Sequence, residues 1–253
     1  MQDKIITSMQ NDIVKQLMAL QSKKNIRNQS ELYIVEGLRA VNDLKDNISY
    51  YVVVPSVKKD ADLPVITVSE EIFAKISETK TPQGIMAVVK QNNSKLENLD
   101  DKEIYLVLEN IQDPGNLGSI IRTAYGLGVE AIFLTKGCVD VYSPKVVRAT
   151  MSVLSNITIV KDYQIEDYIE YLKNKKVVIF ATNLEGAVPV YETDFLQKTA
   201  LIIGNEANGI SEYAKKNADV NVKIPMKTNL ESLNVAVATS ICLYEILRQR
   251  DMM

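Results

Sequence analysis

The sequence predicts an α/β protein in two parts, a small mixed α/β domain over residues 1–95 and a larger domain over 103–253 built on a mostly parallel sheet with helices on both faces. Three observations predict it. Continuous apolar runs of strand length recur through the C-terminal three-fifths. Helical stretches alternate with most of these runs. The segment from Gln91 to Lys102, QNNSKLENLDDK, is polar, lacks apolar periodicity and separates two differently patterned regions, as a linker does.

In the first part, DIVKQLMALQSKKN reads as a helix, ELYIVEG as a strand and LRAVNDL as a short helix. YYVVVPS and GIMAVVK are strands on either side of a helix in SEEIFAKISE. In the second part the buried-strand runs are IYLVLEN, AIFLT, ITIVKD, VVIFATN, TALIIGNE and VNVKIPM. Helices are predicted in SIIRTAYGLG, SPKVVRATMSVL, EDYIEYLKN and the terminal ESLNVAVATSICLYEILRQR. Ligands of such sheets bind at the carboxyl ends of the strands.

The chain has 253 residues, 46% hydrophobic and 24% charged, the composition of an ordinary globular protein. It contains no histidine, which excludes Ser-His-Asp, Cys-His and His-metal chemistry together. The two cysteines, Cys138 and Cys242, have no CxxC spacing. No signal-peptide pattern opens the chain and no run approaches about 18 apolar residues, so a reducing cytoplasm is the expected location. The net charge of −3 argues against a protein that simply coats nucleic acid. A local basic segment nevertheless exists: from Val14 to Ser30 there is no acidic residue, while Lys15, Lys23, Lys24 and Arg27 occur, a candidate RNA-binding face or a solvated helix face.

Three segments carry candidate chemistry. NIQDPGNLGSIIRTAYGLG places Pro114, Gly115, Asn116 and Gly118 in a turn between a strand and a helix that presents Arg122 one turn in. Its spacing is not GxGxxG, so dinucleotide binding fails. LIIGNEANGIS has Gly204 and Gly209 at phosphate-loop separation, but Ile210 stands where that loop needs lysine. What remains is a strand ending at a glycine with Asn205 and Glu206 at its crevice, and an ionised carboxylate there needs a partner. KIPMKTNLESLNVAVATSICLYE ends a strand at Pro225 and Met226, then opens a long apolar helix near Ser232 and Asn234, where an N-cap and a functional site are equally good readings.

Taken together, in this order and each at a strand end, the three segments resemble the motifs of the SpoU-type (TrmH-like) RNA ribose 2′-O-methyltransferases of the SPOUT class. The matching residues are Asn116 and Arg122; Gly204, Asn205, Glu206 and Gly209; and Pro225, Met226, Ser232, Leu233 and Asn234. YIVEGLRAV resembles the family's ribosomal-protein-L30e-like substrate-binding domain. There are two departures: Thr228 stands where the family usually has glycine, and Met151, Ser152 and Val153 where it commonly has a small glycine-containing turn.

The resemblance implies a C-terminal trefoil knot, among the rarest topologies. It implies S-adenosylmethionine held near Thr182, Asn183, Leu184, Gly204, Asn205, Ile224, Met226 and Leu233, with no metal. It also implies a homodimer through the catalytic domain. The reaction is methyl transfer to a ribose 2′-hydroxyl of RNA, with 23S ribosomal RNA as the expected substrate. The family role for Arg122 is activation of that hydroxyl; a group with a pKa above about 12 serves better as a phosphate anchor that stabilises developing alkoxide charge. Glu206, Ser232 and Asn234 would orient the ribose and Arg122, with Asn116 supporting the turn. The alternatives are a tRNA 2′-O-methyltransferase and a noncatalytic RNA-binding or ribosome-assembly factor on the same scaffold.

Overall fold

The computed structural model describes residues 5–184, 186–205, 207–228 and 232–251. The chain opens with α1 (Asp12–Ser22), α2 (Lys24–Ser30), β1 (Leu32–Glu36), α3 (Leu38–Asn42), β2 (Ile48–Val53), β3 (Val65–Thr67), α4 (Glu70–Ile76) and β4 (Ile85–Lys90). It continues with β5 (Ile104–Leu108), α5 (Pro114–Gly126), β6 (Ala131–Thr135), α6 (Pro144–Thr150), β7 (Thr158–Tyr163), α7 (Ile165–Asn174) and β8 (Val178–Thr182). Last come β9 (Val188–Pro189), β10 (Thr199–Ile203), α8 (Glu212–Asn217), β11 (Val220–Lys223) and α9 (Val235–Asp251). Among the described residues no helix is long and apolar enough to cross a membrane.

The chain forms two compact units. The first comprises the residues up to Asn92 together with Asp140–Asn156, so α6 belongs to it although it lies inside the C-terminal sequence. The division at residues 95 and 103 expected from the polar segment therefore misses one returning excursion. Within this unit β4 pairs antiparallel with β1 and β2, and β2 pairs parallel with β3. Val14, Leu17, Val52, Phe73 and Val88 share its core.

The single helix expected over residues 12–25 is two helices. Asn11 caps α1 by accepting from the Ile13 N–H at 2.9 Å, and the backbone turns extended at Lys23. Arg27 provides the physical reason for the break: its guanidinium donates to the Leu20 and Gln21 carbonyls at 2.6 and 3.1 Å, two groups that a helix end leaves without partners. Asp140 then accepts from the same guanidinium at 2.6 and 2.9 Å.

The second unit holds a seven-stranded sheet in the order β7-β6-β5-β10-β8-β11-β9, parallel at every pairing. Connections β5-α5-β6 and β7-α7-β8 run in opposite directions across this order. Right-handed crossovers therefore put α5 and α7 on opposite faces. α9 packs on α5 and α8 on α7, which completes both layers. One face is filled by Tyr105, Val107, Phe133, Val160, Tyr168 and Ile202. Alternate strand residues such as Leu106, Ile132 and Leu201 are also fully buried, on the other face.

The polar segment is not a free linker. Leu96 and Leu99 are buried in the core of the second unit, and the Tyr171 hydroxyl donates to the Leu99 carbonyl at 3.2 Å. α5 begins at Pro114, five residues before the apolar pattern suggests, because Asp113 caps it by accepting from Asn116 N–H at 2.7 Å and proline suits the first helical position. The glycine-containing turn is thus the first turns of a helix, and Arg122 lies in its third turn rather than one turn in.

Candidate active site

Three parallel strands, β8, β10 and β11, end at one cavity of about 440 Å³. That volume is of the size of a small-molecule site, and its place at the carboxyl edge of a doubly covered sheet is where such folds bind ligands. All eight residues named for the cofactor line it: Thr182, Asn183 and Leu184 at the end of β8, Gly204 and Asn205 after β10, and Ile224, Met226 and Leu233 after β11. Ser232 lines it as well.

The loop after β10 shows why a glycine stands at 204. A Cβ there would lie 2.1 Å from the Gly209 carbonyl carbon and oxygen and 2.4 Å from the Ile210 nitrogen. The loop folds back that closely because Asn205 organises it. Its side-chain oxygen accepts from Ala207 and Asn208 N–H at 3.0 and 2.7 Å, and its carbonyl accepts from Gly209 N–H at 3.0 Å. Gly209 itself has φ +65°, a conformation that glycine adopts without strain. Ile210 is 3% exposed in the apolar core, where a phosphate-binding lysine could not sit.

The first and third segments meet directly. Asn234 donates from Nδ2 to the Asn116 Oδ1 at 3.0 Å. Its own Oδ1 accepts from Ala236 and Val237 N–H at 2.9 and 3.3 Å, which makes Asn234, not Ser232, the cap of α9. The two readings of Asn234 are therefore compatible: one side chain caps the helix and ties it to the N-terminal turn of α5. Arg122 is exposed, and its guanidinium has no hydrogen bond or ion pair among the described residues. Glu206 lies outside the described residues.

Two lysines at the cavity, and one buried carboxylate beyond its lining, escaped the sequence reading. Lys215 and Lys223 also line the cavity. Glu109, just past β5, is 4% exposed, and its Oε2 accepts from Ser211 N–H at 2.9 Å. The only signal for it was the acidic end of the run IYLVLEN. Neither cysteine suits nucleophilic work: burial pushes the Cys138 thiol up, and pushes that of Cys242 up to about 12.

In the N-terminal basic segment Lys15, Lys23 and Lys24 are exposed. Arg27 is not available to a phosphate: it is 4% exposed, and its donors are taken by Asp140, Leu20 and Gln21. Its assignment to RNA binding is corrected to a structural one. Met151, in the turn where a glycine was anticipated, has φ 59°.

A covered parallel sheet whose strand ends gather a glycine-lined cavity, with an asparagine pair joining its first and last motifs, defines an α/β protein with a small-molecule site at the carboxyl edge of its sheet. The chain belongs to the SpoU rRNA Methylase family, whose model matches residues 103–244, and the model of the MRM3-like substrate binding domain matches residues 11–87. Among its relatives is the 23S rRNA (guanosine(2553)-2′-O)-methyltransferase RlmP of Bacillus subtilis, 31% identical over 96% of this chain and 99% of that protein. The AdoMet-bound rRNA methyltransferase of Sinorhizobium meliloti superimposes with a TM-score of 0.87 at 33% identity, covering 97% of both chains. The SpoU methyltransferase AviRb of Streptomyces viridochromogenes, crystallised with AdoMet, gives 0.84 at 26% identity over 96% of this chain and all of that one.

Proposed function

We propose that this chain transfers the methyl group of S-adenosylmethionine to a ribose 2′-hydroxyl of RNA, with 23S ribosomal RNA as substrate. The observation that carries the reading is the cavity at the ends of β8, β10 and β11, which gathers all eight residues anticipated for the cofactor in a member of the SpoU family. Relatives with both parts of the chain are named for 23S rRNA, and two structural neighbours are bound to AdoMet.

The residues present fit that cofactor. Ile203, Ile224, Leu233 and Val235 offer apolar walls for an adenine, while strand-end backbone groups and Asn205 offer polar contacts. Lys223 has no ion-pair partner among the described residues and is available to a carboxylate. S-adenosylmethionine, when bound, supplies an electrophilic methyl on a sulfonium centre. The protein's task is to align the hydroxyl with that methyl and ease departure of its proton. Arg122 holds the neighbouring phosphate and stabilises the alkoxide that develops on the ribose oxygen. Asn116 and Asn234 fix the start of α5 against that of α9, and so the helix that carries Arg122. Ser232 and Glu206 orient the ribose.

The same reading assigns the second unit a trefoil knot, the first an L30e-like fold, and the chain a cytoplasmic location and a homodimeric state. Calorimetric titration tests the cofactor site: the wild-type chain binds S-adenosylmethionine, and Gly204→Ala, which drives a methyl group into the Gly209 backbone, weakens binding at least about tenfold, the equivalent of roughly 1.4 kcal/mol. No binding by the wild-type chain would overturn the reading.

A further inference from the structure

The first compact unit contains a cavity of its own, of about 250 Å³, lined only by residues of that unit. Val35 of β1, Ala40 of α3 and Val147 of α6 give it an apolar floor. Arg39 of α3 and Arg148 of α6 also line it; both are exposed, and neither guanidinium has a hydrogen bond or ion pair among the described residues. The carboxylate of Glu36, which lines the cavity too, is occupied by the Thr79 hydroxyl at 2.7 Å, the Ser77 hydroxyl and the Glu78 N–H. These donors are neutral and leave its charge in place, but among the described residues no ion pair joins it to either arginine.

Two amides complete the site. Gln21 is 8% exposed and donates from Nε2 to the Ile76 carbonyl at 3.1 Å, leaving its Oε1 without a partner among the described residues. Gln83 accepts from Leu38 N–H at 2.7 Å, leaving its two amide protons without one. The cavity thus combines an apolar floor, one free acceptor, one free donor pair and two free guanidinium groups. A volume below the usual range for drug-sized ligands limits it to something small.

We propose that this cavity receives one unpaired nucleotide of the RNA substrate, with its base on the apolar floor and an adjoining phosphate between Arg39 and Arg148. The inference rests on the RNA methyltransferase reading above. Guanidinium forks match phosphate geometry. Sequence-selective RNA recognition takes unstacked bases out of loops and reads their edges with side-chain amides, the groups Gln21 and Gln83 hold ready. An acidic peptide would satisfy the arginines but would leave the floor and both amides unused.

The test uses the full chain and in-vitro-transcribed, unmodified 23S rRNA, with affinity measured against salt and S-adenosylmethionine affinity as the check on an intact protein. The Arg39→Gln/Arg148→Gln double variant binds the RNA about tenfold or more weakly, with the slope of log K against log salt reduced by about 0.7, the contribution of one single-strand phosphate, while its cofactor affinity is unchanged. Ala40→Leu fills the cavity but keeps both arginines; it weakens RNA binding about fivefold with the slope unchanged. A double variant that loses no more than Lys45→Gln, an exposed-lysine control away from the cavity, overturns the proposal, as does displacement of RNA from the wild-type chain by polyglutamate. A wild-type chain that binds cofactor but neither binds nor methylates any RNA refutes the underlying reading instead and removes the proposal with it.

Discussion

At the scale of single residues, Arg122 carries the sharpest chemical expectation. It is exposed and unpaired among the described residues, on the third turn of a helix whose first turn is tied by Asn116 to Asn234. A planar fork that holds a phosphate while charge grows on a neighbouring oxygen is poorly replaced by an ammonium group. Arg122→Lys is therefore expected to lower the rate of methyl transfer at saturating RNA by about a hundredfold or more, within the range seen on loss of one transition-state donor. Cofactor affinity should not change. Near-full activity in that variant, read from single-turnover rates, would remove the need for the guanidinium.

Arg27 marks the limit of reading residue roles from sequence. It sits in a basic segment and looks like a surface cation, yet its partner Asp140 is 113 positions away and no local pattern connects them. The three motif segments stand out because each follows an apolar strand run, where such a fold leaves a crevice. Lys223 was missed because a charge in a strand is ordinary until the cavity around it is seen, and Glu109 because its partner, the Ser211 N–H, is 102 positions away.

At the scale of elements, the continuous apolar runs gave all the long strands of the parallel sheet, since a strand buried on both faces must be apolar throughout. The short β3, β9 and α8 escaped because two to six residues carry too little periodicity to register. The break between α1 and α2 escaped because its cause is the tertiary contact of Arg27 with the last carbonyls of α1. That contact has a measurable weight. The Arg27–Asp140 pair is buried, its side chains 5% and 9% exposed, and deletion of one partner leaves a charge uncompensated. Arg27→Met is expected to cost about 3–5 kcal/mol in denaturant unfolding of the first unit. A loss below about 1 kcal/mol, typical of an exposed ion pair, would contradict the structural role assigned to it.

At the scale of the whole molecule, the two units divide at Asn92 and Asn93, and Asp140–Asn156 returns to the first one with no mark in the local sequence pattern. Contacts that distant in sequence are invisible to local pattern: Tyr33 packs on Tyr142, their ring centroids 4.9 Å apart. Assembly is the second expectation at this scale. On α9, Val237, Ile241 and Tyr244 are 48%, 37% and 59% exposed at the i, i+4, i+7 spacing of one helical face, an apolar stripe that a partner would cover. Sedimentation velocity should give twice the 28.3 kDa chain mass, and Ile241→Glu should shift it toward the monomer. A wild-type chain that sediments as a monomer at micromolar concentration would remove the dimer from the account.

The most direct test of the central claim is methyl transfer itself: purified chain, tritiated S-adenosylmethionine, and unmodified 23S rRNA beside bulk tRNA, with the labelled nucleotide mapped by its resistance to alkaline cleavage. Incorporation into 23S rRNA at one alkali-resistant linkage, marking a ribose 2′-O-methyl group, is the predicted result. Label on a base, label in tRNA alone, or no label despite bound cofactor would contradict it.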